Sequence, residues 1–278
     1  MNLTDIFTIK SILKSNKLHA NKKFGQNFLV DKRVLDKIME TAGLSDQDTV
    51  VEIGPGLGVL TQELASKAGL VLAIEKDRRF VEWLRKYFEN TKNAKIICDD
   101  ILTYPLNLIP KAYKVVANLP YNITSPVIRM FLESENAPQE MVLMVQKEVA
   151  ERLVAKPGNR ERGITTIMVE FYGMAEIIET VANKSFWPIP EVDSAILRIC
   201  TKDQRPKTKD IDSKIFFRIV KAGFSQKRRQ IHHPLKAIFH LSSDQIKSIL
   251  KEADIDPMNR AEDLSLENWV KLYSSLLI

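Results

Sequence analysis

Short apolar runs alternate along the chain with segments whose apolar residues recur every three or four positions, which predicts a largely parallel sheet covered by helices. The runs are 49–53, 70–74, 95–98, 113–117 and 140–145. Each is brief, and 49–53 is β-branched and closed by turn residues, as a strand buried on both faces is. Helical spacing marks 59–67, the core-facing set Phe80, Leu84 and Tyr87, and 31–42 with Asp31 as its N-cap. Ile6, Ile9, Ile12 and Leu13 predict a short N-terminal helix covering part of the surface. Two later runs, 167–178 and 195–200, have strand character and are read as a hairpin at the sheet edge, with a rigid aromatic, proline-braced loop at 186–193 between them. Beyond Thr201 the chain turns polar through Asp210 and then helical, so the domain boundary is placed there, giving units 1–201 and 202–278.

Composition narrows the class without naming a function. A hydrophobic share of 45% with 27% charged residues is that of a globular chain, and no apolar run approaches a membrane span. The 23 N-terminal residues hold five lysines, no arginine and Asp5, and they lack a signal-peptide core, so a cytoplasmic location is expected. Lys and Arg exceed Asp and Glu by 41 to 35, an excess that favours an anionic partner. Cys98 and Cys200 each sit in an apolar run and are expected to be buried reduced thiols. The histidines show no zinc-type spacing with cysteine, and no metal is assigned.

Chemistry concentrates after the strands. The run Thr49–Ile53 leads directly into Gly54-Pro55-Gly56-Leu57-Gly58. Three glycines there let the backbone turn tightly and approach a ligand at a helix start, more than a plain strand-to-helix turn requires. The 70–74 run ends in Glu75, about 20 residues past the glycines, where a carboxylate meets ribose hydroxyls. The 95–98 run ends in Asp99-Asp100, able to accept from an exocyclic amine such as that of adenine; Asp99 is read as a solvated loop residue. The 113–117 run delivers Asn118-Leu119-Pro120-Tyr121-Asn122 to the same edge. An amide oxygen and a main-chain carbonyl accept N–H groups, proline fixes the turn, and tyrosine offers a stacking face. The third glycine comes one position too early for the G-x-G-x-x-G dinucleotide fingerprint, so an S-adenosylmethionine site is favoured over a nicotinamide one.

Basic segments lie elsewhere. Lys22 and Lys23 precede Phe24-Gly25-Gln26-Asn27-Phe28-Leu29, which serves equally as a ligand clamp, a nucleic-acid contact or a loop before a helix. The segment 156–163, with Arg160 and Arg162, reads as an exposed loop that meets phosphates or simply stays solvated. Lys227, Arg228 and Arg229 cluster beside Phe224, as phosphate contacts do in a nucleic-acid site; a solvated helix end has the same look.

In Asn118 to Tyr121 the chain resembles the ribosomal RNA adenine N6,N6-dimethyltransferases, particularly the bacterial 16S type. The likeness runs through Gln26 to Leu29, Glu52 to Gly58, Glu75, Asp100, Asn118 to Asn122, Gln146-Lys147-Glu148 and Phe186-x-Pro-x-Pro-x-Val-Asp193-Ser194-Ala195. It implies a Rossmann-like class I S-adenosylmethionine-dependent methyltransferase with a seven-stranded mixed sheet and a small C-terminal all-helical domain that binds RNA. The implied substrate is a pair of adjacent adenines near the 3′ end of 16S rRNA in the immature small ribosomal subunit, methylated by a monomer. In this likeness Asn27 and Leu29 close over S-adenosyl-L-methionine, Gly54 approaches it by backbone, Glu75 holds the ribose and Asp100 takes its adenine amine. Asn118 and the Leu119 carbonyl hold the target N6, while Tyr121 and Phe186 stack on the flipped base. The chain departs from the family at His232-His233-Pro234, where a further Arg and Asn are usual, which alters the RNA contacts expected there. The alternatives are a 23S rRNA adenine methyltransferase, a DNA adenine methyltransferase, for which Asn-Pro-Pro-Tyr is more usual, and a non-catalytic assembly factor.

Overall fold

The computed structural model describes residues 1–19, 26–201, 208 and 210–276, so Lys22 and Lys23 lie outside the described residues. The chain divides into two units: residues 1–150 with 175–201, and residues 151–174 with 202–278.

The first unit is a seven-stranded mixed sheet. Its strands are β2 (Thr49–Ile53), β3 (Leu70–Glu75), β4 (Ala94–Cys98), β5 (Tyr113–Asn118), β6 (Glu140–Gln146), β7 (Met174–Val181) and β9 (Ser194–Cys200), in the order β4-β3-β2-β5-β6-β9-β7. β4, β3, β2, β5 and β6 run parallel, and β9 is antiparallel to β6. Central β5 and β6 are nearly all apolar and buried, with Val115, Val116, Leu143 and Val145 at zero exposure. That is the pattern of a sheet covered on both faces. α2 (Lys32–Ala42), α3 (Val59–Lys67), α4 (Arg78–Tyr87) and α5 (Thr124–Glu133) supply the cover. Asp31 caps α2 by accepting from the Arg33 N–H at 3.1 Å. α1 (Ile6–Ser15) buries Ile9, Ile12 and Leu13 as its spacing predicts. A separate two-stranded ladder pairs β1 (Phe28–Leu29) with β8 (Phe186–Trp187), Phe28 opposite Trp187 and Leu29 opposite Phe186.

The second unit is helical: α7 (Ile164–Tyr172), α8 (Ser213–Phe224), α9 (His232–Phe239), α10 (Ser243–Glu252) and α11 (Leu266–Leu276), with the end of α6 (Lys147–Leu153) leading in. Phe171 packs on Phe216 and Phe217 with ring centroids at 4.6 and 5.1 Å.

Three expectations need correction. The run 167–178 is not one strand: 164–172 is helix α7, and only 174–181 is extended. Its Ile, Thr, Val and Phe residues have strand propensity, but packing on every side overrides a preference of that size. Consequently 151–174 belongs with the C-terminal helices, and a single cut at 201 does not describe the two units. Finally, neither cysteine is fully buried: Cys98 is exposed at the end of edge strand β4 and Cys200 is half-buried.

Candidate active site

Between β2 and β5 the strand order reverses, and the crevice at such a switch point is where open α/β sheets take ligands. In-register pairing brings Gly54, Glu75, Asp100 and Asn118 to one edge, because Ile53 lies opposite Ile74 and Glu75 opposite Cys98. All four line one open cleft, together with Asn27 and Leu29 and the apolar side chains of Ile38, Ile74, Ile101 and Leu102. Gly54 sits at φ +64°, a conformation that side chains disfavour, so its backbone can face the cleft directly.

Two carboxyl groups form the floor. Glu75 is 6% exposed, and its oxygens accept from the Asp77 N–H at 2.9 Å and the Gly56 N–H at 3.2 Å. Burial pushes its carboxyl above the ordinary carboxylate range, opposed by those two N–H donors. Glu52, 1% exposed and held by the Thr61 hydroxyl at 2.6 Å, is pushed up to about 8, mainly by burial and further by the Glu75 charge. It therefore keeps its proton at neutral pH. Glu52 lies in the Glu52 to Gly58 motif without an expected role of its own; a lone acid inside an apolar strand is the signal that marks it. Asp100 differs. Its carboxylate takes the Lys76 ammonium at 2.7 Å and the Leu102 N–H at 3.1 Å, and the Lys76 contact holds it below the ordinary range as an ionised acceptor. Asp99 also lines the cleft, on the exposed side.

The Asn118 amide is oriented by its neighbours. Its Nδ2 donates to the Asn27 carbonyl at 3.1 Å, which leaves Oδ1 as the amide's acceptor atom. Leu119 is tied to the sheet by its N–H to the Met144 carbonyl at 3.1 Å. The Tyr121 hydroxyl shares a hydrogen bond with Ser194 Oγ at 2.8 Å, fixing its ring beside the cleft. Ser194 stood in the quoted 186–195 motif, yet nothing local showed that it meets Tyr121. Phe186 departs from expectation. It is 1% exposed and does not line the cleft; pairing of its main chain with Leu29 buries the ring in the core instead.

The basic residues separate. Arg160, Lys227, Arg228 and Arg229 are exposed as expected. Arg162 is not: it is fully buried, its guanidinium clamping Glu170 through two bonds at 2.7 and 2.5 Å and reaching the carbonyls of Ala155 at 2.6 Å and Leu264 at 3.3 Å. It is a packing residue, out of reach of a phosphate. At the departure from the family pattern, His232 is buried with Nδ1 2.7 Å from the Pro257 carbonyl, while His233 stays exposed.

Residues 17–277 match the family described as ribosomal RNA adenine dimethylase. The chain belongs to that family. A protein of Dehalococcoides mccartyi named ribosomal RNA small subunit methyltransferase A is 43% identical over 95% of this chain and 90% of its own length. One of the same name from Fusobacterium nucleatum is 42% identical over 90% of this chain and 95% of its own. Among solved structures, a dimethyladenosine transferase from Plasmodium falciparum superposes with a TM-score of 0.76 at 26% identity, covering 88% of this chain and 95% of that one. The 23S rRNA methyltransferase ErmE gives 0.71 at 26%, covering 91% and 100%. The fold of this adenine dimethylase is thus the class I methyltransferase fold, whose members use S-adenosylmethionine. Its cleft fits such a molecule. A buried carboxyl group stands at the end of β3, an ionised one at the end of β4, aliphatic side chains line the space with them, and the glycine turn lines it too.

Proposed function

We propose that this dimethylase transfers methyl groups from S-adenosyl-L-methionine to N6 of two adjacent adenines near the 3′ end of 16S rRNA, giving N6,N6-dimethyladenosine. In this reading it works as a cytoplasmic monomer on the immature small ribosomal subunit. The observation that carries the reading is the Asn118 amide, its nitrogen held by Asn27 so that its oxygen stands as an acceptor beside the glycine turn.

When bound, S-adenosylmethionine supplies an electrophilic methyl on a sulfonium. The chain's residues do the positioning. Glu75 accepts from the ribose hydroxyls, Asp100 from the adenine amine of that molecule, Gly54 lies against it by backbone, and Asn27 and Leu29 cover it. Asn118 Oδ1 and the Leu119 carbonyl accept the two hydrogens of the target N6, favouring a pyramidal nitrogen whose lone pair is less delocalised into the ring. Tyr121, fixed by Ser194, stacks on the flipped base. The N6–methyl bond would form as the methyl–sulfur bond breaks, the sulfur leaving as a neutral thioether; the proton of the then cationic N6 is acidic enough to pass to water, so no strong base is required and orientation is the main catalytic resource. After one transfer N6 retains a single hydrogen, so the same acceptors must present a methylated amine again.

Identity of 43% to a protein named for the small subunit, against 26% to a 23S rRNA enzyme, favours the small subunit. The test is to incubate the protein with labelled S-adenosylmethionine and, separately, immature small subunits, large subunits and DNA. Label entering only the small subunit is expected; label entering large subunits or DNA instead overturns the reading.

A further inference from the structure

Phe7 is 82% exposed, the one exposed Phe, Tyr or Trp among the described residues. It lies on α1, whose opposite face is fixed in the core by Ile9, Ile12 and Leu13. At 3.6 residues per turn Phe7, Lys10 and Lys14 fall on one outward stripe. No acidic residue lies within the helix; Asp5, its N-cap, is engaged by Thr8 at 2.8 Å. The stripe is tied to the active-site side of the unit. Lys10 Nζ lies over the Trp187 ring, 5.5 Å from its centroid, and Trp187 pairs with Phe28, between the cleft residues Asn27 and Leu29. Cations flanking an exposed ring fit a strand of nucleic acid, phosphates on the lysines and a base on the aromatic face.

We infer that the outer face of α1 is a substrate-RNA contact in which Phe7 stacks on an unpaired base and Lys10 and Lys14 neutralise the neighbouring phosphates. The inference rests on the rRNA reading above and adds a second contact to the flipped adenine, outside the cleft.

The test is equilibrium binding of the full chain to small-subunit rRNA over a series of salt concentrations, for wild type, Phe7→Ala and the double variant Lys10→Gln/Lys14→Gln. Phe7 and Lys14 are exposed and Lys10 gives up only its contact over the Trp187 ring, so thermal unfolding should stay close to wild type. Phe7→Ala is expected to weaken binding about tenfold, the loss of one stacked base, with an unchanged salt slope. The lysine variant should lower the slope of log K against log salt by about 0.7 to 0.9 per lysine. Variants that bind and respond to salt like a wild type that itself binds overturn the α1 contact alone. A wild type that does not bind small-subunit rRNA overturns the rRNA reading with it. Binding of wild type to phosphatidylglycerol vesicles, lost in Phe7→Ala while RNA affinity is unchanged, assigns the face to a membrane and also overturns the inference.

Discussion

Glu52 holds a proton in the folded protein that it releases on unfolding at neutral pH, because burial raises its carboxyl to about 8 while an unfolded chain ionises it near 4.5. The native state therefore binds more protons than the unfolded one between those values, and this carboxyl's contribution to stability falls as pH rises through that window. Glu52→Gln keeps the shape and a partner for the Thr61 hydroxyl but has no proton to lose. Thermal melts should show it near wild type at pH 5 and more stable at pH 8, with a flatter pH dependence. At Asn118 the expectation concerns catalysis. Asn118→Ala should cut methyl transfer by about 100-fold or more through lost alignment, while calorimetry shows S-adenosylmethionine binding largely retained. Transfer at the wild-type rate contradicts the role given to the amide. That Glu75, Asp100 and Asn118 meet in one cleft was legible because a parallel sheet delivers every strand end to one edge. Arg162 was not, because a charge run in sequence looks the same whether it is solvated or folded inward onto an acid eight positions later.

Elements were legible where periodicity was strong. The five parallel strands and α2 to α4 follow the apolar pattern, and Asp31 caps α2 as its chemistry requires. The β1–β8 ladder was beyond reach. Two residues per strand, 158 positions apart, leave no periodic signal, yet this pairing sets Asn27 beside Asn118 and takes the Phe186 ring away from the cleft. α7 was misread because its residues are those of a buried strand and only their packing makes them a helix. At the turn from β2 into α3, Gly58 adopts φ +87°, and a Cβ there would meet Phe88 at 2.7 Å. Gly58→Ala should lower stability by about 1 to 3 kcal/mol in urea unfolding, through backbone strain and overpacking together. In the helical unit, Arg162→Ala leaves Glu170 and the Ala155 and Leu264 carbonyls without their donor. The loss should reach about 3 kcal/mol or more, with the salt slope of RNA binding unchanged, the opposite of a phosphate contact.

At the scale of the molecule, the sheet unit holds the cleft and the helical unit carries the exposed cluster Lys227 to Arg229. The excess of 41 basic over 35 acidic residues acquires meaning only through such placement: one arginine of the expected set is interior, and α1 presents a cationic stripe that composition could not locate. In the proposed reading cofactor class and acceptor base are set by different parts of the same edge, the glycine turn for the first and the Asn118 turn for the second. On the proposed reading Asn118 and the Leu119 carbonyl hold N6 by its two hydrogens and must hold the monomethyl product by the one that remains, so two transfers to each adenine are expected. Nucleoside analysis of small-subunit rRNA after reaction with excess S-adenosylmethionine measures that directly. The expected end product is N6,N6-dimethyladenosine; N6-methyladenosine as the stable end product, or label on any other base, would contradict the account.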